Sequence, residues 1–214
     1  MEIYKNVHLI KNLFVNLYLI IDSNHITLID TGISGNGPRI LKAITSLNLE
    51  PEAVVRIMIT HADGDHYGSL SYLQKVIRAE TFANQVEAEA IRSGSSSRKL
   101  HPTGINKLLF SMVSSFMKSQ PARVDQYLLQ GQVFPILGGL QVLNTPGHTP
   151  GHISLYSEST GILFAGDSIN VAGNKLVPSS GANTWDPEMA EQSFQLQVKL
   201  NPLIVCAGHG FWKK

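Results

Sequence analysis

Val54-Val55-Arg56-Ile57-Met58-Ile59-Thr60-His61-Ala62-Asp63-Gly64-Asp65-His66 decides how the rest of the chain is read. The apolar run Val54–Thr60 predicts a buried strand. Directly behind it, two imidazoles and two carboxylates fall within six residues. A strand entering a tight loop at Gly64 can turn His61, Asp63, Asp65 and His66 toward one point. Nitrogen and oxygen donors converging in this way are what a divalent metal ion requires. A polar surface loop that happens to carry two histidines is the plainer reading of the same residues.

Upstream, Asn12–Asp22 and His25–Asp30 are β-rich runs separated by Ser23-Asn24, a hairpin signal. The second run delivers Asp30 at its tip, where capping a turn is the simplest role. Pro38 suits the first turn of a helix, and Ile40, Leu41, Ile44 and Leu47 then recur at three- and four-residue steps. Downstream, Gly68–Val76 reads as a helix, Glu80–Ala83 as a strand, and Asn84 as the cap of a helix through Arg92. Strands alternating with helices predict an α/β layered fold.

Ser93-Gly94-Ser95-Ser96-Ser97 reads as a flexible link, followed by a helical pattern over Gly104–Lys118 with a broad apolar face. This 93–123 stretch, lying between candidate ligands, reads as a helical insertion that lines a pocket, closes as a lid, packs in a dimer, or simply packs on the core. His101 beside it is either a substrate contact or a surface histidine, and His8 and His25 read as surface histidines. From Val124 the pattern is strand-rich, with runs at Val133–Leu137, Leu140–Leu143, His152–Tyr156, Ile162–Ala165 and finally Leu203–Ala207. Asp186-Pro187 starts a last helix with a cap and an N-terminal proline. Three strand ends hand over to polar residues: one leads to His148, one to Asp167 and one to His209. Each alone could be a turn residue, but their number and order argue against coincidence.

Composition narrows the class. The chain has 214 residues, of which 43% are hydrophobic and 15% charged, and a formal net charge of +1. That length suits one domain with a full core. The charge provides no electrostatic case for binding nucleic acid or an anionic membrane. A lone cysteine, Cys206, excludes an internal disulfide, fits a reducing compartment and reads as a core residue. Leu13–Ile21 is too short to span a bilayer, Asn16 interrupts it and no small-residue cleavage site follows it, so it reads as a strand and the cytoplasm is the expected location.

The order Asp30, His61–His66, His148, Asp167, His209 resembles the metallo-β-lactamase superfamily over nearly the whole chain. That family's pattern is an early aspartate, H-x-H-x-D-H, and single H, D and H at later strand ends. Thr145-Pro146-Gly147-His148-Thr149-Pro150-Gly151-His152 is similar to the small, glyoxalase II-like hydrolase branch. The resemblance implies a four-layer αβ/βα sandwich, a single domain over 1–214, with two divalent metal ions at one edge, zinc first among them. It places His61, Asp63 and His148 at one ion and Asp65, His66 and His209 at the other, with Asp167 bridging. Asp30 would orient the metal loop, and His152 would be structural or a neighbour of the ligands.

Asp63 stands where the family pattern has its second histidine. Three carboxylates then face two divalent ions, and a bridging hydroxide would bring the centre to about neutrality instead of about one positive charge. Weaker Lewis acidity and a tilt toward iron or manganese follow. If Asp63 is too short to reach, one site is weak or empty and the centre is mononuclear. On the ligand pattern alone, Asp63→His is expected to restore the common site and favour zinc.

The function implied is a metal-dependent hydrolase in which a metal-bound hydroxide attacks an ester, thioester, lactone, amide or phosphoester. Asp65 is the expected catalytic residue, a ligand that also orients the hydroxide or carries a proton. The expected partner is a small-molecule substrate, bordered by 93–123 and by Asn170–Asp186, where Trp185 could stack on it. The alternative is a non-haem di-iron oxidoreductase acting on oxygen, nitric oxide or a sulfur substrate. It is favoured by Asp63 and opposed by the lack of an electron-delivery domain. A third reading is a degenerate member that binds metal without catalysis. No drug-binding motif points to a β-lactamase proper.

Overall fold

In the computed structural model, which describes residues 1–12, 15–98 and 119–214, seven strands form one mixed sheet. Its spatial order is β1 (Glu2–Tyr4), β2 (Val7–Lys11), β3 (Asn16–Asp22), β4 (His25–Ile29), β5 (Val54–Met58), β6 (Glu80–Ala83) and β7 (Gln126–Tyr127). Pairing is antiparallel as far as β4 and parallel from there to β7. The second sheet runs β8 (Val133–Phe134), β9 (Leu140–Asn144), β10 (Ile153–Ser157), β11 (Ile162–Gly166), β14 (Ile204–Ala207) and β15 (Gly210–Lys213). Only β11 and β14 pair in parallel there. A separate hairpin joins β12 (Ile169–Ala172) to β13 (Lys175–Pro178).

Side-chain alternation sorts these strands into layers, because successive residues point to opposite faces. Tyr18, Ile20, Ile29 and Met58 of the first sheet meet Val142, Leu155, Phe164 and Cys206 of the second in an apolar core between the sheets. Leu17, Leu19, Leu28 and Ile57 point the other way, under α1 (Gly37–Thr45), α3 (Leu70–Val76) and α4 (Gln85–Ser93). On the far side, Leu143, Leu163 and Val205 pack against Phe194 of α5 (Pro187–Lys199). The result is the expected α/β sandwich of four layers.

Local chemistry starts and stops the helices. Pro38 lies in the first turn of α1, Asn84 Oδ1 accepts from the Val86 N–H to cap α4, and Gly94 ends α4 at φ +71°. Asp186 caps α5 by accepting from the Glu188 and Met189 N–H groups. Between the sheets Cys206 is buried as expected. Among the described residues no helix is long and apolar enough to cross a membrane.

Several boundaries differ from expectation. The first hairpin starts at Asn16, with Asp22 opposite His25 across Ser23-Asn24. Gly64 opens the short helix α2 (Gly64–Tyr67), so Asp65 and His66 are helical instead of looped. Asn170–Asp186 contains the end of β12 and all of β13, and β15 follows the strand expected to be last. The expected flexible link is tied down: the Ser95 N–H donates to the Ala90 carbonyl, while Ser96 and Ser97 donate to side chains described below. The helix expected over 104–118 and the position of His101 lie outside the described residues.

Candidate metal centre

Five strand ends, two in the first sheet and three in the second, supply the site. Asp30 follows β4, the segment His61–His66 follows β5, His148 follows β9, Asp167 follows β11, and His209 sits between β14 and β15. All seven expected ligand residues come together. Their donor atoms form three overlapping groups, each within 4.8 Å: His61, Asp63 and His148; Asp65, His66 and His209; and His61, His66 and Asp167.

Individual spacings follow the two-site arrangement that the resemblance implies. Asp63 Oδ2 lies 3.5 Å from His61 Nε2 and 3.2 Å from His148 Nε2. Asp65 Oδ2 lies 3.3 Å from His209 Nε2 and 3.9 Å from His66 Nε2. Asp167 faces both: Oδ1 is 3.3 Å from His66 Nε2, and Oδ2 is 3.1 Å from His209 Nε2 and 3.6 Å from His148 Nε2.

A cation fits this arrangement. His61 Nε2, His66 Nε2 and Asp167 Oδ1 are buried without a hydrogen-bond partner, and they belong to one of the three groups. Buried polar atoms are normally paired, so orphans that converge mark a place where a metal ion completes the bonding. The mixed imidazole and carboxylate set suits zinc, iron or manganese.

The remote nitrogens of His61, His66 and His148 are engaged, which leaves their Nε2 atoms free to face the centre. His66 Nδ1 is 2.8 Å from Asp30 Oδ2, His61 Nδ1 is 3.0 Å from Thr60 Oγ1, and His148 Nδ1 is 2.9 Å from Ser179 Oγ. Asp30 is therefore more than a turn cap. Its backbone sits at φ +60°, a conformation costly for most residues. Its carboxylate compensates by accepting from the Thr60 N–H and hydroxyl at 2.8 and 2.9 Å. Asp30→Asn is expected to weaken metal binding by about 10–100-fold while the fold persists, as read by competition with a coloured chelator.

His152 is not among the converging donors. Its Nε2 accepts the Asp167 N–H at 3.0 Å, and its Nδ1 faces Thr145 Oγ1 at 2.9 Å. Burial, reinforced by His61 and His148, holds its pKa well below the usual histidine value, consistent with a neutral acceptor.

Charges inside the site are strongly coupled. Burial alone would raise the Asp63 and Asp167 carboxyls, yet neighbouring imidazoles outweigh it and hold both well below the usual range. Hydrogen bonds to Asp167 and Asp65 push His209 up to about 10. For His66, burial opposes ionisation, but the charges of Asp167, Asp30 and Asp65 win and raise it. Without metal, protons on His66 and His209 offset the carboxylates.

Two further residues, neither anticipated from the sequence, complete the surroundings. Glu87 of α4 is fully buried. Its Oε2 accepts the Ala62 N–H at 2.6 Å, and its Oε1 accepts from the Thr149 hydroxyl, the Gly151 N–H and the Ser97 hydroxyl at 2.8, 2.8 and 2.9 Å. It thus ties the first metal loop to the loop that carries His148. Arg98, also buried, donates to Asp63 Oδ2 at 2.5 Å and to the His148 carbonyl at 2.6 Å. Glu87 left one readable signal, because it lies four residues before Ile91 on the apolar face of its helix. Arg98, behind a serine run, left none.

Comparison with known proteins identifies the class. The model of the metallo-β-lactamase superfamily matches residues 10–209, and the chain belongs to that superfamily. An uncharacterised protein of Bacillus subtilis strain 168, YobT, is 30% identical over 205 residues, covering 92% of this chain and 83% of its own. A probable metallo-hydrolase of the same organism, YybB, is 23% identical, covering 92% of this chain and 80% of its own. Among solved structures, a metallo-β-lactamase family protein of Thermus thermophilus superposes with a TM-score of 0.70 at 23% identity, over 98% of this chain and 75% of that one. The resemblance drawn from the strand-end motifs and the four-layer fold both hold.

Proposed function

We propose that the protein is a binuclear metallo-hydrolase acting on an ester, thioester, lactone, amide or phosphoester of a small molecule, with zinc as the first candidate metal. The observation that carries this reading is the convergence of His61, His66 and Asp167 through buried atoms that have no other partner. Membership of a superfamily with relatives named probable metallo-hydrolases supports it. Ions held there would supply an activated water near neutral pH and polarise the substrate oxygen.

The chain's own residues then divide the work. His61, Asp63 and His148 would hold one ion, and Asp65, His66 and His209 the other, with Asp167 between them. Asp65 would orient the activated water or carry a proton at Oδ2, the oxygen that faces His209. Trp185, exposed and joined through its backbone N–H to the His148 carbonyl, offers an aromatic wall beside the site. The buried thiol of Cys206 and the absence of other cysteines are compatible with a cytoplasmic setting.

Elemental analysis of protein purified without added metal, followed by a substrate panel before and after chelation, tests the proposal. Two zinc ions per chain and hydrolysis lost on chelation are expected. Two irons with oxygen or nitric oxide consumption would favour the oxidoreductase reading that Asp63 raises. A single ion would mean that Asp63 does not complete its site. Hydrolysis unaffected by chelation would overturn the proposal.

A further inference from the structure

The carboxylate of Asp63 is held from two sides. Ser96 donates to Oδ1 at 3.1 Å, and Arg98 donates to Oδ2, the same oxygen that faces His61 and His148. The guanidinium also donates to the His148 carbonyl, so it is fastened to two of the three residues in that group. Arg98 is only 7% exposed, and a buried cation of this kind needs a partner.

We propose that Asp63 and Arg98 act as one unit that replaces a neutral imidazole at the centre, with Asp63 providing the donor oxygen and Arg98 cancelling its charge. This rests on the metal-dependent reading above. Counting charges shows why the pair is balanced. Asp63, Asp65 and Asp167 set about three negative charges against about four positive from two divalent ions, and Arg98 restores one more positive charge. The sum, about two positive, equals that of a centre with histidine at position 63 and no arginine nearby. The neutrality expected from Asp63 alone, and with it the tilt toward iron or manganese on charge grounds, disappears once Arg98 is counted. Arg98 is a positioning residue here: it acts through Asp63 and does not itself reach the metal.

The proposal reverses the expectation for Asp63→His. With Arg98 still present, that substitution leaves a buried guanidinium without its carboxylate, close to a divalent ion. Zinc stoichiometry and affinity, measured by chelator competition without reference to activity, should be compared for wild type, Asp63→His, Arg98→Met and the double variant. Asp63→His alone is expected to bind the ion at His61 and His148 about 10-fold or more weakly, and Asp63→His/Arg98→Met to regain it. Asp63→His/Arg98→Lys, which keeps the charge, should remain weak; packing alone would not predict that. If Asp63→His does not fold, Asp63→Asn carries the same comparison, tighter with Arg98→Met than without. Equal zinc affinity for the position-63 variant with and without Arg98 would overturn the pairing and leave the metal reading standing. No zinc, iron or manganese bound by wild type would instead overturn the metal reading itself.

Discussion

Asp167→Ala is expected to lose metal from both halves of the centre and to lower kcat/KM by roughly two to three and a half orders of magnitude. Asp167 is the one carboxylate that faces both ligand groups, through Oδ1 toward His66 and Oδ2 toward His209 and His148. Losing one electrostatic group at a reacting centre costs about two to three orders of magnitude in rate, and Asp167 serves both halves. Asp63→Ala touches only one group, so it should remove about one equivalent and leave the other bound. Metal per chain and turnover, measured together on both variants, check the difference. Equal losses in the two would mean that Asp167 does not bridge.

Glu87→Ala is expected to be among the most destabilising single changes in the protein, although among the described residues its hydrogen-bond partners, Ala62, Ser97, Thr149 and Gly151, are not candidate ligands. It would strand the buried Ala62 and Gly151 N–H groups and the Thr149 hydroxyl, each now satisfied by the carboxylate. Unsatisfied buried donors cost about 1–3 kcal/mol each, so a total of about 3–5 kcal/mol is a restrained figure. For a chain of this size that corresponds to a fall of roughly 6–20 °C in Tm. Glu87→Gln keeps the shape and one acceptor oxygen but presents an NH₂ to a donor, and should lose about half as much. Thermal unfolding of the metal-free proteins reads both. A Glu87→Ala protein as stable as wild type would show that the contact between the loops is dispensable.

The fold class and the order of the candidate ligands were legible in the sequence, while the strand boundaries were less so. The candidate ligands stand out because apolar runs lead into short segments that carry donor side chains, a pattern that survives whatever the exact strand boundaries are. Strand pairing is less local. The β12–β13 hairpin turns at Gly173-Asn174, with Ala172 opposite Lys175. That is a recognised two-residue turn pair, but flanks of four residues each are too short to stand out from a loop. β15 was hidden for a similar reason, since Gly210–Lys213 gains its strand character only by pairing with β14. Glu87 and Arg98 expose the harder limit. A glutamate in an Ala- and Glu-rich helix and an arginine after a serine run look like solvated charges. Only the folded chain shows that one fastens two loops and the other pairs with the Asp63 carboxylate. The charge argument built on Asp63 alone was incomplete for this reason.

The distribution of ligands along the chain has a thermodynamic consequence. In each of the three groups two residues come from positions 30–66 and one from positions 148–209: His61 and Asp63 with His148, Asp65 and His66 with His209, His61 and His66 with Asp167. A bound ion is therefore a removable cross-link between the two sheets, closing loops of more than eighty residues. Parting the sheets would release any ion held there, so folding stability would become a function of free metal, rising by about 2.7 kcal/mol for an ion held at a hundred times its dissociation constant. The centre is as much a fastening of the sandwich as a place on its edge.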